Sequence, residues 1–548
     1  MKKNILFFLI LSCSGLRAQN MNMVLRSQYK FPDTVKLSNL WGFSQGGKEY
    51  ALVGTTQGLT IFDVTQPDQI KKLKDIPGIV SKWREVKTWD YFAYVTTEGY
   101  VPGQKYGLQI INLSYLPDSV IYKYYDGDQA INHKLATSHS LFIDKGYAYL
   151  YGSTLINDTL YPNQGVIILN LKNYWSPSFS GAYDFSPDPV GYVHDGYVRN
   201  DTVWSCHIYG GFFAPIDVKD KAHPKELVRQ KTHHFAAHNA WLSDNGKTLF
   251  VTDEVDSSYL QSYDVSDISN IKLLDQYKSS PHSSAVVHNT HILKDYAITS
   301  WYSEGVVIVD AHRPDNLVKV GSFDTSPDSG GGYKGCWGVY PYLPSGNILA
   351  SDIDEGLFVL TPTYKRASYL EGNVKDSLTG KPVFEASVEI ATSTAIKTTS
   401  ILGAYKTGIG TAGKRNVTYS KNGYRTLVLK NVNFQSQAVI TKDVALLPGS
   451  GTDTLNYTDP AAGLDQLNYS SAMNVFPNPT HTTLLLSLGT AGEFETVLIY
   501  DPTGKIVAAY KLSPVQTELS IDAKLNPGIY FLRAYGAGKN AEAKLVKW

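Results

Sequence analysis

A short apolar segment, opening on glycine and closing on aspartate or asparagine in most copies, recurs through the first two thirds of the chain. The copies read GLTIFDV from Gly58, GLQIINL from Gly107, GVIILNL from Gly165, FFAPIDV from Phe212, YLQSYDV from Tyr259, GVVIVDA from Gly305 and GLFVLTP from Gly356. A second apolar segment precedes each, such as YALVGTT, FAYVTTE, TLFVTDE or YAITSWYS, and six are followed by a turn and a further segment such as NIKLLDQY or NLVKVGSF. Apolar runs of this length bounded by turn residues predict strands. Ahead of each pair lies one more strand, opening on Trp41, Trp83, His139, His194, His238, His288 or Trp337, at spacings of 42 to 56 residues. Four strands per repeat at that period predict the blades of a β-propeller. The last repeat ends near Thr361 without a fourth strand, while residues 23–31, MVLRSQYKF, have the character of one. The N-terminal segment is therefore expected to complete the last blade and leave no open sheet edge.

The reading is an all-β chain: a seven-bladed β-propeller over residues 19–366, then two small β-sandwich domains. From Tyr369 the pattern shifts to GNVKDSLTGKPVFEASVEI, GAYKTGIG and VTYSKNGYRTLVL, whose alternation and turns predict a small sandwich over 367–447. Residues 448–472 are rich in Gly, Ser, Thr and Asp without apolar periodicity and read as a linker. Strand-like segments resume over 473–548, with NVFPNPTHTTLLLSL, VLIYDPTGKIVAAY and LNPGIYFLRAYG.

Three resemblances attach to these segments. The GVVIVD-type strands resemble the LVIVD repeat, and residues 23–364 resemble the secreted choice-of-anchor B propellers, a resemblance that implies fold and location and no particular chemistry. The stretch from Tyr369 is similar to the carboxypeptidase regulatory-like, transthyretin-type domain, which implies a spacer or packing partner without catalytic groups. The final segment, through Pro477, Asn478 and Pro479, Asp501 to Gly504, Pro527 to Tyr530 and Lys547, resembles the C-terminal sorting domain of the type IX secretion system of Bacteroidetes. That resemblance implies passage through the type IX machinery to the cell surface or the medium.

The N-terminus agrees with export. Lys2 and Lys3 precede the apolar run from Ile5 to Leu11, and Ala18 supplies a small residue for cleavage, so residues 1–18 read as a signal peptide. No later apolar run is long enough for a transmembrane segment. Lysine plus arginine equal aspartate plus glutamate at 50 each, so no net field would draw a nucleic acid or an anionic membrane. With Cys13 in the leader, Cys206 and Cys336 remain, too few for a disulfide framework.

Candidate chemistry follows from the ring. In a propeller the first strand of each blade lines the channel, so the seven opening residues are expected around one mouth, joined by the ends of the second strands: Thr56, Glu98, Ser153, His207, Asp253, Glu254, Trp301, Glu304, Asp352 and Asp354. With His133, His233, His234 and His282 on connections, nine of the thirteen histidines are expected at one opening. Imidazoles beside carboxylates are the usual ligands of zinc, copper, manganese or iron, which makes His139, His194, His238 and His288 candidate ligands of a divalent transition metal. Trp41, Trp83, Trp301 and Trp337 with Tyr192, Tyr302 and Tyr340, beside Asp253, Glu254 and Asp352, form the mixed lining expected of a glycan, peptide or small-molecule site. The sequence thus leaves three classes: an exported binder, a metal-dependent extracellular lyase, hydrolase or oxidase, and a structural surface component. No H-E-x-x-H pair, C-x-x-C pair or phosphate-cradling loop occurs.

Overall fold

The repeat strands are buried on both faces. Gly305–Asp310 is buried at every position, and Gly58–Asp63 and Val166–Asn170 at all but the last. A strand sandwiched between neighbouring sheets needs an unbroken apolar run, which is why these segments do not alternate. Their leading glycines have a steric cause: a Cβ on Gly305 would lie 2.2 Å from the Phe323 carbonyl oxygen, and one on Gly356 2.1 Å from that of Tyr29. Both have positive φ, 72° and 99°.

The computed structural model describes residues 20–101, 104, 106–156, 165–183, 192–393, 396–457, 473–476, 483–488, 494–503, 505–522, 525–536 and 539–547. The predicted signal peptide, much of the linker and Pro477, Asn478, Pro479 and Gly504 lie outside them. Six sheets are built from strands in chain order, with first strands Leu37–Gln45, Val86–Trp89, Ser140–Asp144, Asp195–Arg199, Ala237–Leu242 and Val287–Leu293; only in the third is the order interrupted, by Thr154–Leu155, which pairs with Leu135–Thr137 instead. The seventh joins Cys336–Tyr340, Ile348–Asp352 and Gly356–Pro362 to Met23–Tyr29, which runs antiparallel to Gly356–Pro362 with Tyr29 opposite Leu357. Each first strand packs beside the first strand of the next sheet, and that of the seventh packs beside that of the first. The ring is a β-propeller closed by its N-terminal strand, and no sheet edge is left at the junction.

A bulge recurs at the start of the first strands. Register shifts lie between Leu37 and Leu40, Ala237 and Asn239, Val287 and Thr290, and Cys336 and Gly338. One extra residue there reverses the in-out alternation, so side chains three positions apart both face the channel.

Residues through Leu455 form one compact unit and those from Asn456 a second. Within the first, Ser368–Asp376 pairs with Ala404–Ile409 and with Val439–Thr441 and Val444–Leu446. It faces a second sheet of Ile396–Thr398, Ser387–Ile390, Gly413–Ser420, Thr426–Phe434 and Thr452–Asn456. The last strand falls inside the expected linker, so ordered sandwich extends beyond Leu447. This module is fastened to the sixth propeller sheet by Arg366 on Asp310 at 2.7 Å and Arg313 on Glu371 at 2.8 Å, and to the fifth by Lys397 on Asp275 at 2.8 Å. In the second unit Thr496–Tyr500, Ile506–Lys511, Gly528–Gly536 and Lys539–Lys547 form one sheet, and Asn474–Phe476, Thr483–Ser487 and Glu518–Asp522 another. Leu484, Leu486, Val497, Ile499, Ile521 and Leu532 fill its core.

Among the described residues there is no α-helix, only three short 3-10 turns, and no helix is long and apolar enough to cross a membrane. Cys206 and Cys336 are free and buried, as expected, and burial pushes both thiols up.

Candidate functional site

The first strands set three tiers of side chains down the channel. The upper tier, at the mouth, is Arg84, His139, His194, His238, His288 and Trp337, and Ser38 holds the equivalent register position in the first sheet. Immediately below, one residue later in each strand, come Asn39, Glu85, Ser140, Asp195, Asn239, Asn289 and Gly338. Three residues below the mouth lie Trp41, Lys87, Phe142, Tyr197, Trp241, His291 and Tyr340.

The floor is an aromatic plug. Trp241 packs on Tyr197, His291 and Phe142 with ring centroids 4.7, 4.6 and 5.6 Å away, and Trp41 packs on Tyr340 at 4.7 Å. Lys87 closes the circle with its ammonium 4.4 Å above the Trp41 ring. The middle tier is a hydrogen-bonded belt: Asp195 accepts from Ser140 Oγ and Asn239 Nδ2, each at 2.7 Å, and Glu85 accepts from Asn39 Nδ2 at 2.6 Å and from Lys87. Burial nonetheless raises the Glu85 pKa.

The mouth holds the four predicted histidines in a row. Successive ring centroids from His139 to His194 to His238 to His288 are 4.1, 4.4 and 4.3 Å apart, and Trp337 follows at 5.2 Å. These side chains line one pocket together with Trp83, whose indole is 40 % exposed at the rim. Two rings have their tautomers set. His288 Nδ1 lies 2.5 Å from the Trp337 carbonyl oxygen, which can only accept, so Nδ1 carries the proton and a neutral ring presents a lone pair at Nε2. His139 Nδ1 lies 2.6 Å from Glu98 Oε1, which directs that proton in the same way. Nδ1 of His194 and of His238 makes no hydrogen bond of normal geometry among the described residues. Burial and the neighbouring imidazoles push His194 and His238 well below the usual histidine range, and burial takes His288 down to about 3.

Glu254, from the connection after the second strand of the fifth sheet, reaches into this row. Its Oε2 is 3.4 Å from His238 Nε2 and its Oε1 is 3.6 Å from His288 Nε2. Tyr302 donates its hydroxyl to Oε1 at 2.7 Å, and burial pushes the carboxyl up to about 7. His194, His238 and Glu254 each offer a ligand atom such that all three atoms lie within 4.8 Å of one another.

Several expected residues stand elsewhere. Trp41 belongs to the floor, because the bulge between Leu37 and Leu40 makes Ser38, not Trp41, the counterpart of His288. In the second sheet the tier position is Arg84, whose Nε donates to the Thr55 carbonyl at 2.7 Å, and Trp83 sits beside it on the rim. Trp301 is fully buried in the apolar core between sheets and does not line the opening. Asp253 and Asp352 are fully buried and committed to turns. The first accepts from His234 N, Ala236 N and Gln261 Nε2, the second from Thr325 Oγ1, Asp354 N and Glu355 N, all between 2.8 and 3.3 Å. Of the nine histidines expected at one opening, only the four of the tier line it. His133 is paired with Asp126 on the surface, His233 and His282 are exposed, His234 is half-buried beside Tyr259, and His207 is buried on Phe212.

The middle belt, and the roles of Glu98 in orienting His139 and of Tyr302 in holding Glu254, were not singled out from the sequence. One signal for the belt was present: Ser140, Asp195, Asn239 and Asn289 each directly follow a tier histidine.

A family model described as the secretion system C-terminal sorting domain matches residues 474–547. The chain therefore carries a type IX sorting domain and is exported to the cell surface or the extracellular space. No curated protein matches the chain. Among solved structures it is similar to a candidate 6-phosphogluconolactonase from Bacteroides fragilis, at 12 % identity, covering 64 % of this chain and 92 % of that one with a TM-score of 0.42. It is also similar to the β-propeller domain of Cps50 (Swd1) from Myceliophteria thermophila, at 10 % identity, covering 62 % and 100 % with a TM-score of 0.42.

Proposed function

We propose that this exported protein is a surface or extracellular binding propeller, and that its ligand, a glycan, peptide or small molecule, docks at the mouth between Trp83, Trp337 and the histidine row. The observation carrying this reading is an exposed indole at the rim of a polar pocket whose opposite end is plugged by aromatics. Flat apolar faces beside fixed polar groups are what such ligands require. The likeness of the repeats to LVIVD propellers of the choice-of-anchor B type agrees with a secreted role, and an N-terminal signal peptide would deliver the chain to the type IX machinery. The transthyretin-like module, fastened by ion pairs to the outer side of the ring, serves as a rigid spacer and carries no chemistry.

The test is retention on glycan and peptide arrays by the full chain and by its Trp83→Ala and Trp337→Ala variants. We expect a saturable ligand whose affinity drops about tenfold or more in either variant, as for a buried aromatic anchor. Binding unchanged in both would overturn the assignment of the site. A second reading, a metal-dependent extracellular enzyme, is favoured by one observation, the buried Glu254 carboxyl between His238 and His288.

A further inference from the structure

We infer that the propeller mouth binds a divalent transition-metal ion between His194, His238 and Glu254, with His288 Nε2 beside them. The inference rests on the mouth being the binding end of the propeller, and it adds a cation as part of what that end holds.

The first argument is the donor set. Two imidazoles and one carboxylate are a common protein complement for zinc and its first-row neighbours, leaving a position open to an exogenous ligand. Ligands around an ion at about 2.0 to 2.2 Å stand roughly 3.5 Å apart in a tetrahedral site. The His238 Nε2 to Glu254 Oε2 separation of 3.4 Å already has that value. The 4.8 Å limit on the whole group asks the rest to close by about 1 Å, a small rearrangement for side chains that line or border one pocket.

The second argument is independent of the first. His288 Nδ1 gives its proton to the Trp337 carbonyl, so the Nε2 that faces Glu254 Oε1 at 3.6 Å is an acceptor. Oε1 is an acceptor too, and it already receives the Tyr302 hydroxyl. Two lone-pair centres facing each other in a buried site call for something positive between them, a proton or a metal ion. The same contacts form the outer support a metal site needs: Trp337 O fixes the His288 tautomer, and Tyr302 orients the Glu254 carboxylate. Neither Asp253 nor Asp352 competes for the ion, because turn hydrogen bonds occupy both.

The test is zinc retention by the full chain, measured by elemental analysis after equilibration with zinc chloride and desalting without chelator or affinity nickel. The parent is expected to hold about one equivalent, and His194→Ala/His238→Ala and the isosteric Glu254→Gln less than about a fifth of it, with circular dichroism confirming that each is folded. Trp83→Ala, at the rim, is expected to keep its zinc. No retained zinc in the parent, or equal zinc in the parent and both ligand variants, overturns the inference. Array binding by the same proteins separates the two ideas: a ligand lost in Trp83→Ala without any zinc leaves the binding function standing alone, and zinc without any array ligand leaves the metal site standing alone.

Discussion

The two ends of the channel are built by the same seven strands, three residues apart, and they solve opposite problems. At the floor, Trp241 touches the rings of Phe142, Tyr197, His291 and Tyr342, so each aromatic is another's packing partner. At the mouth the rings are smaller and polar, they face Glu254, and Nδ1 of His194 and of His238 makes no normal hydrogen bond among the described residues. The floor stores stability in area and shape. Buried polar atoms without partners are costly; the floor carries one, Nδ1 of His291, while the mouth gathers two on adjacent rings beside the Glu254 carboxyl, and that concentration is the mark of a site.

The largest expected effect comes from removing the floor. Trp241→Ala should lower unfolding stability by about 3 to 5 kcal/mol, the usual range for deleting a packed aromatic. His238→Ala, three residues up the same strand, should cost about 1 kcal/mol or less, because water can fill the opening and one unsatisfied nitrogen disappears. Urea unfolding of the two variants measures the contrast. Equal losses would mean that the mouth is as structural as the floor.

The tiers also explain what could be read from sequence. The Gly-led apolar runs stand out because a strand buried on both faces has no polar positions to blur it, and the closing strand 23–31 was legible because a missing fourth strand must be supplied from somewhere. His139, His194, His238 and His288 were found for the same reason: each opens a first strand. Trp41 was misplaced because aromatics occupy both the mouth and the floor positions, and only the bulge after Leu37, invisible in a single sequence, decides which one Trp41 takes. Asp253 and Glu254 are neighbours of like chemistry, yet the first caps a turn and the second reaches the imidazoles. Spacing cannot separate them, because the backbone direction at that corner is set by the Asp253 hydrogen bonds themselves.

Acid should set two buried groups apart by sign, one from each end. Burial holds His291 at the floor down to about 3, as it does His288 at the mouth. A histidine depressed on folding contributes stability that is complete above its unfolded value of about 6.5 and is lost as pH falls toward 3. Replacing His291 by phenylalanine should therefore flatten the acid limb of the stability curve, by of order 3 kcal/mol between pH 6.5 and 4. Glu254 runs the other way. Raised to about 7, its carboxyl contributes stability present below its unfolded pKa and lost as pH climbs through 7, so Glu254→Gln should gain relative to the parent over that interval. Denaturant midpoints from pH 4 to 8 for both variants test the two signs together; parallel curves would show that neither group is buried as described.

Zinc should then act on one end only. At a hundredfold excess over its dissociation constant, a ligand of the folded state alone adds about 2.7 kcal/mol, a melting shift of a few degrees. We expect that shift in the parent and in His291→Phe and its absence in Glu254→Gln. A shift lost in the floor variant would mean that the tiers are coupled rather than separate.

The smallest expected effect on stability is the most informative about function. The Trp83 indole is 40 % exposed, so it removes little apolar area from water in the free protein, and Trp83→Ala should change stability by less than about 1 kcal/mol. A large exposed aromatic beside a pocket is instead area held in reserve for a partner. If the variant unfolds where the parent does but loses the array ligand, the indole belongs to recognition. If it is destabilised as strongly as Trp241→Ala, the rim is a second plug, and the contrast between an open mouth and a closed floor collapses.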